Sequence, residues 1–273
     1  MISGSELEKR KADAWAAMKS CCLCPRACGV DRTAGELGYC RVGAKSRCFR
    51  EVVCDWEDSG ISPLTHVYFA GCNLRCSSCT VMEWNLEPDS AAETNIARLC
   101  EKMLRRRYRR HAGMINILGG EPAVSIYGAL EVLGAMVEGM VVAWHSNMYY
   151  NQAVRQLLDG LVDVYLADFK CGNADCARQM VDAEDYVEVV SDNIAYTAES
   201  TPVIVCHKIV PGHVRCCTKA ILQRVAGIEG VRFNMRYNPV PQVAEEVLEG
   251  YVTQEEADLA RDYARKYNVQ LIE

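Results

Sequence analysis

Apolar residues along the chain fall into two alternating rhythms. Short, near-continuous apolar runs at 66–71, 114–119, 139–145, 161–168, 202–209 and 230–236 read as strands. Strands covered on both faces of a parallel sheet lose the usual in–out alternation. Between them, apolar positions recur at three- and four-residue spacing, which predicts helices. One is expected after Ser90-x-x-Glu93, a capping-box pattern, with Ile96, Leu99, Cys100, Met103 and Leu104 on one stripe and a stop near Gly113. Another runs from Thr253-x-x-Glu256 through Leu259, Ala260, Tyr263 and Tyr267 to Asn268. A leading helix is expected within residues 1–19, where Leu7, Ala14, Trp15 and Met18 share a face. Residues 20–60 have weak periodicity and many cysteines, which predicts an irregular extension. The strand–helix repeats after it predict a right-handed α/β wind. The expected division is a helix and cysteine-rich extension over 1–60 and an α/β domain over 61–273.

Composition narrows the setting. The chain has 273 residues, 50% of them hydrophobic and 24% charged, which suits a folded globular protein. No apolar run reaches the roughly 18–20 residues of a membrane span. The first nineteen residues are charged and lack the apolar centre of a signal peptide, so a cytoplasmic location is expected. A net charge of −6 argues against general nucleic-acid binding, and neither a nucleic-acid nor a membrane partner is expected. The run Arg105-Arg106-Arg107-Tyr108-Arg109-Arg110 closes a predicted helix, where cations complement the dipole. Docking to an acidic protein is the alternative. Sixteen cysteines in a reducing compartment are expected to serve metal centres rather than disulfides.

Three of those cysteines carry the sharpest signal. Gly71-Cys72-Asn73-Leu74-Arg75-Cys76-Ser77-Ser78-Cys79 follows the first predicted strand and supplies three thiolates at C-x3-C-x2-C spacing. A [4Fe–4S] cluster has four irons and is usually held by four cysteines, so three leave one iron open to a substrate or cofactor. A structural zinc site instead favours paired C-x2-C knuckles and four protein ligands. A second group is Cys21-x2-Cys24-x3-Cys28-x11-Cys40, with Cys22, Cys48 and Cys54 nearby. It reads as an auxiliary [4Fe–4S] cluster, a zinc site or free thiols. After the second predicted strand comes Gly119-Gly120-Glu121-Pro122, whose glycines let the backbone approach a ligand. Polar residues close later strands: His145, Ser146 and Asn147, then Asp168-Phe169-Lys170, then His207. Asp168 and Lys170 share one strand face and can pair with each other. Cys100 suits a helix core. Cys171, Cys176, Cys206, Cys216 and Cys217 are weaker signals, either buried thiols or groups at the mouth of a site.

On these residues the chain resembles the radical S-adenosylmethionine (radical SAM) superfamily and, within it, a branch homologous to pyruvate formate-lyase activating enzymes. It shares with that branch Cys-x-Leu-Cys-Pro-Arg-x-Cys-Gly-Val at 21–30 and Gly35-Glu36-Leu37-Gly38-Tyr39-Cys40. It also shares the run from Leu158 to Leu166, Asp168-Phe169-Lys170, and Val210-Pro211-Gly212-His213. The resemblance implies a partial (β/α)6 barrel with the cluster loop after its first strand. It implies a [4Fe–4S] cluster on Cys72, Cys76 and Cys79 whose open iron chelates SAM. One electron then gives methionine and a 5′-deoxyadenosyl radical. Gly119, Gly120, Glu121 and Pro122 would bind the amino group of SAM, Ser146 and Asn147 its ribose or carboxylate, and Asp168, Lys170 and His207 would line the pocket. The implied reaction abstracts hydrogen from a protein or peptide, glycyl-radical-enzyme activation being one version. A small metabolite substrate and an inactive Fe–S carrier or scaffold are the alternatives. A flavodoxin- or ferredoxin-type electron donor and an oxygen-poor habitat follow from the same chemistry. No separate catalytic acid or base is assigned. Ser78, Cys206 and the segment 80–85 depart from the pattern; they leave the cluster ligands intact and bear on the substrate.

Overall fold

The computed structural model describes residues 2–54, 63–108, 113–136, 139–236 and 252–272. The chain forms two compact units. The first comprises Met1–Asn73, Val81–Ser146 and Tyr150–Val164, and the second Leu74–Thr80, Asn147–Tyr149 and Tyr165–Glu273. The expected division between residues 60 and 61 falls outside the described residues.

The first unit opens with α1 (Gly4–Ala17), whose cap Ser3 accepts a hydrogen bond from the Glu6 N–H at 3.2 Å. Strands β1 (Cys48–Cys54) and β2 (Leu64–Phe69) follow, then helices α2 (Met82–Leu86) and α3 (Ile96–Tyr108). Next come β3 (Met114–Gly119), α4 (Ile126–Gly134), β4 (Val141–Ser146) and α5 (Gln152–Leu158). β1 pairs antiparallel with β2, while β2, β3 and β4 run parallel. The central strands are buried at nearly every position, as their unbroken apolar runs require. α1 lies on α4: Ala14 has no exposed surface, and the Trp15 ring meets Tyr127 edge-on at 5.0 Å. Leu7 fits where Gly134 has no side chain; a Cβ there would stand 2.6 Å from Leu7 Cδ2. The Arg10 guanidinium donates to the carbonyls of Leu157 and Asp159 at the end of α5, where a cation complements the exposed acceptors.

Two expectations change. Residues 48–54 were expected within an irregular extension, yet they form β1. Their pairing with β2 is non-local and none of them is buried, so no in–out alternation marks them. The capping box at Ser90 and Glu93 does not form. Pro88 starts a short 3-10 turn, and residues 92–94 are drawn into extended hydrogen bonds with Ser46 and Cys48. α3 therefore starts at Ile96, with the Asn95 side chain accepting from the Arg98 N–H at 2.9 Å. Leu99 and Met103 are buried, whereas Leu104 is 48% exposed. Within the run, Arg106 pairs with Glu51 at 2.6 Å, as Lys102 does, and Arg105 pairs with Glu101. Arg109 and Arg110 lie outside the described residues.

The second unit contains β5 (Val164–Asp168), α6 (Ala174–Val181), α7 (Tyr186–Ala198) and β6 (Val203–Lys208). α8 (Lys219–Val225), β7 (Val231–Arg236) and α9 (Gln254–Lys266) complete it. β5, β6 and β7 run parallel. A single widened π turn, Val214–Thr218, precedes α8. The Thr253–Glu256 capping box forms as predicted. α9 buries Ala260 against Ile209 and Val214, with Leu259 and Tyr263 partly covered beside them. The α/β class and the six strands, three parallel in each unit, stand as predicted, with ends displaced by a few residues: β2 spans 64–69 rather than 66–71. Among the described residues no helix is long and apolar enough to cross a membrane.

Candidate functional site

In the first unit, the chain leaving β2 is tied to the chain leaving β3. The Gly120 N–H donates to the Phe69 carbonyl at 2.8 Å, and the Glu121 N–H donates to the Gly71 carbonyl at 2.9 Å. Gly71 directly precedes Cys72, which is buried. The approach is close enough to forbid side chains. A Cβ at Gly119, where φ is +144°, would stand 2.0 Å from the Phe69 carbonyl oxygen; one at Gly120 would stand 2.2 Å from the Gly71 carbonyl oxygen. Glu121 is fully buried, and its Oε1 accepts from the Ala123 N–H at 3.0 Å and from the Ser146 hydroxyl at 2.8 Å. Glu121 thus caps the short turn that Pro122 begins, and Ser146 at the end of β4 braces it.

The four N-terminal cysteines converge in the same unit. Cys21, Cys24, Cys28 and Cys40 line one small cavity with Arg26, Arg32, Gly38, Tyr39 and Val124. Each sulfur meets a hydrogen-bond donor. The Tyr39 N–H reaches Cys28 Sγ at 3.3 Å, and the Arg32 guanidinium reaches Cys21 Sγ at 3.9 Å. Cys24 receives the Arg26 N–H and the Asn73 side chain, and Cys40 receives the Val42 N–H. Burial pushes the Cys24 thiol up to about 11, and those donors work against the shift. Arg32 is itself buried, held by the carbonyls of Gly43 and Val124 at 2.9 and 2.8 Å. The cavity abuts the loop that opens at Cys72: Asn73 follows Cys72, and a Cβ on Gly71 would come 2.1 Å from Val42 Cγ2 and 3.1 Å from the Cys40 carbonyl oxygen. Nothing in the spacing of Arg32 and Asn73 along the sequence marks them for this role.

The second unit carries the other predicted groups. Cys76 and Cys79 share a tight turn closed by the Cys79 N–H on the Cys76 carbonyl at 3.1 Å. The N–H groups of Arg75 and Ser77 donate to the carbonyls of Val181 and Met180, so the end of α6 braces this turn. Burial pushes the Cys76 thiol up to about 11; the Lys170 ammonium draws it down, while Cys79 and Asp168 push it further up. Lys170 pairs with Asp168 at 2.9 Å. Burial opposes the Lys170 charge, yet Asp168 and Cys76 carry its pKa well above the ordinary lysine value. The Tyr186 hydroxyl donates to the Asp168 carbonyl at 2.6 Å and accepts from the Lys170 N–H at 3.2 Å, a buttress that sequence spacing does not announce. Asn147 Oδ1 accepts from the Tyr149 N–H at 2.8 Å.

His207, implied by the resemblance to face SAM, has both ring nitrogens engaged by the protein. Nδ1 lies 2.7 Å from the Phe169 carbonyl and therefore carries the proton, and Nε2, 2.9 Å from Thr218 Oγ1, accepts. The ring is buried, which pushes its pKa down to about 4 against the opposing bond to Phe169. His207 holds the backbone between Asp168 and Lys170.

A family model described as a 4Fe-4S single cluster domain matches residues 59–170, the stretch that holds Cys72, Cys76, Cys79 and the Gly119–Pro122 edge. The structure of SuiB from Streptococcus suis bound to S-adenosylmethionine has the same fold, at 13% identity and a TM-score of 0.54 over 76% of this chain. The matched stretch is thus similar to a 4Fe-4S single cluster domain, and the chain shares its fold with SuiB. This chain spans about 45% of the length of SuiB, which has also been solved with its precursor peptide SuiA (TM-score 0.54, 12% identity, 74% of this chain). TYW1 with a lysine–pyruvate adduct bound shares the fold at a TM-score of 0.52 and 13% identity, over 79% of this chain and 83% of TYW1. By sequence, the chain is 29% identical over 266 residues to an uncharacterized Methanocaldococcus jannaschii protein, MJ0674, covering 93% of this chain and 77% of the relative.

Two outcomes follow from this geometry. Gly119→Ala should destabilise the protein by about 3 kcal/mol or more in urea unfolding, because backbone rather than a movable side chain blocks the new methyl. Gly113→Ala, which meets nothing within 4 Å, should change stability by less than about 0.5 kcal/mol; equal effects would contradict the tie. Acid should also unfold the chain from His207. Its folded pKa lies below its unfolded value of about 6.5, so its neutral form contributes about 3 kcal/mol at pH 7, lost as pH falls from about 6.5 toward 4. His66, buried and likewise pushed down to about 4, adds to the same slope. Denaturant midpoints measured between pH 7 and 4.5 should fall steeply, and the fall should shrink in His207→Asn. An unchanged slope in that variant would refute the assignment.

Proposed function

We propose that this chain uses a [4Fe–4S] cluster on Cys72, Cys76 and Cys79 to cleave S-adenosylmethionine reductively and to abstract hydrogen from a protein or peptide substrate. The observation that carries the reading is the backbone tie between Gly119–Glu121 and Phe69–Gly71, which ends one residue from Cys72. The donor set suits the group: three soft thiols within one eight-residue loop leave one of four irons without a protein ligand. When bound, the cluster supplies one electron to the sulfonium of SAM, giving methionine and a 5′-deoxyadenosyl radical.

The chain's own residues bind and orient. The Gly119–Pro122 edge, bare of side chains at its two glycines, receives the SAM ammonium group through backbone acceptors. Glu121 and Ser146 keep that edge in shape rather than touching the cofactor. Asp168 and Lys170 supply opposite charges for the polar groups of SAM and substrate, and His207 positions them through the Phe169 carbonyl. Asn147 completes the polar end of β4. The raised thiol of Cys76 has to lose its proton when the cluster assembles, so assembly is favoured as pH rises. The peptide reading draws support from SuiB, which shares the fold and was solved with its precursor peptide; activation of a glycyl radical enzyme is one form of it.

The N-terminal cavity is proposed to hold an auxiliary [4Fe–4S] cluster on Cys21, Cys24, Cys28 and Cys40. Four sulfurs, each with a donor, and a buried arginine form a setting for concentrated negative charge. Its contact with Gly71 and Asn73 suits electron relay from a flavodoxin- or ferredoxin-type donor to the neighbouring cluster.

Anaerobic reconstitution tests both centres. The reduced protein should show a [4Fe–4S] EPR signal that shifts on adding SAM, and changing Cys72, Cys76 and Cys79 together to alanine should abolish the shift. About four irons should remain in that variant and leave on Cys24→Ala/Cys28→Ala. A SAM-sensitive signal in the triple variant would overturn the first assignment, and a variant without iron the second.

A further inference from the structure

We propose that Cys176, His213, Cys216 and Cys217 form a separate structural zinc site in the second unit, independent of the radical SAM reading. The four candidate ligand atoms all lie within 4.8 Å of one another. His213 Nδ1 stands 3.5 Å from Cys176 Sγ and 3.4 Å from Cys216 Sγ. A tetrahedral zinc ion with Zn–S of about 2.3 Å and Zn–N of about 2.0–2.1 Å requires N···S edges of about 3.6 Å. Three thiols and one imidazole are a donor set that zinc takes in structural sites, and four protein ligands leave no open position.

The local chain is built to gather these groups. His213-x2-Cys216-Cys217 spans the π turn, where the widened winding brings successive side chains closer in direction than an α-helix does. The turn is closed by the Cys217 N–H on the His213 carbonyl at 2.7 Å. Cys176 comes from the first turn of α6, whose cap Asn173 accepts from the Cys176 N–H at 2.9 Å. The amide of Asn173 faces the sulfurs: Nδ2 lies 3.3 Å from Cys176 Sγ, 4.0 Å from Cys217 Sγ and 3.2 Å from the Cys216 carbonyl. N–H groups directed at sulfur stabilise thiolates and orient them, as the groups behind metal ligands do. Gly172 admits the turn, since a Cβ there would stand 2.5 Å from the Cys217 carbonyl oxygen.

The position of the site gives it a purpose. Zinc binding displaces the thiol protons to solvent and joins α6 to the turn before α8. The far end of α6 holds the N–H groups of Arg75 and Ser77, which flank Cys76. Thr218, next to Cys217, holds His207, which holds the Phe169 carbonyl. One ion therefore fixes both the turn carrying Cys76 and Cys79 and the backbone between Asp168 and Lys170.

Residue-resolved thiol labelling tests the proposal without reference to activity. The full chain, purified reduced under argon and treated with EDTA, is titrated with Zn2+ alone, pulsed with N-ethylmaleimide and mapped by peptide mass spectrometry. Cys216 is exposed and should react quickly without metal. One equivalent of Zn2+ at this site should slow its labelling at least about tenfold, together with Cys176 and Cys217, and EDTA should restore it. His213→Gln should weaken the protection by about tenfold or more while circular dichroism stays native. Equal Cys216 labelling with and without Zn2+ would overturn the proposal. A disulfide joining Cys176 to Cys216 or Cys217 in the protein before reduction would also overturn it.

Discussion

Two backbone hydrogen bonds at the ends of β2 and β3 set the geometry on which the rest depends. Gly120 on Phe69 and Glu121 on Gly71 continue the parallel pairing past the strands, into the loops that follow them. They form only because neither Gly119 nor Gly120 carries a Cβ. The glycines lose more backbone entropy on folding than other residues, and the buried carboxylate of Glu121 needs its own partners. Ala123 and Ser146 supply those partners, so the polar end of β4 is committed to shaping the β3 loop. Gly71, which leads into Cys72, is thereby held by the same contacts that expose the backbone edge.

Sulfur electrostatics are the second theme. Burial pushes the thiols of Cys24 and Cys76 from an ordinary value near 9 up to about 11, which makes their thiolates still rarer at neutral pH. In the two proposed metal centres these thiols give up their protons. N–H groups point at Cys24, Cys28 and Cys40, the buried guanidinium of Arg32 reaches Cys21, and the Lys170 ammonium acts on Cys76. Cys206 differs: burial pushes it up to about 12, with Asp168 raising it further, which suits a packed, protonated thiol.

Sequence pattern revealed the parallel strands because strands buried on both faces announce themselves as apolar runs. It missed β1, none of whose residues is buried and whose partner lies across a long connection. It placed the α3 cap too early because Ser90-x-x-Glu93 has the right letters while residues 92–94 are already paired with Ser46 and Cys48. The Cys72, Cys76 and Cys79 spacing was legible since one loop supplies all three. Groups joined over long separations were not. Asn73 on Cys24, Tyr186 around Asp168 and Lys170, and Thr218 on His207 leave no periodic trace. The set of Cys176, His213, Cys216 and Cys217 read as scattered thiols until α6 and the π turn brought them together.

The central claim is that these residues hold SAM for reductive cleavage, and the products of that cleavage test it most directly. Anaerobically reconstituted, dithionite-reduced protein incubated with SAM should release 5′-deoxyadenosine and methionine in equal amounts, slowly even without substrate. Glu121→Gln and Asp168→Asn should lower the yield while leaving the cluster's iron content unchanged. Release of S-adenosylhomocysteine alone, with no 5′-deoxyadenosine from the reduced protein, would contradict the account.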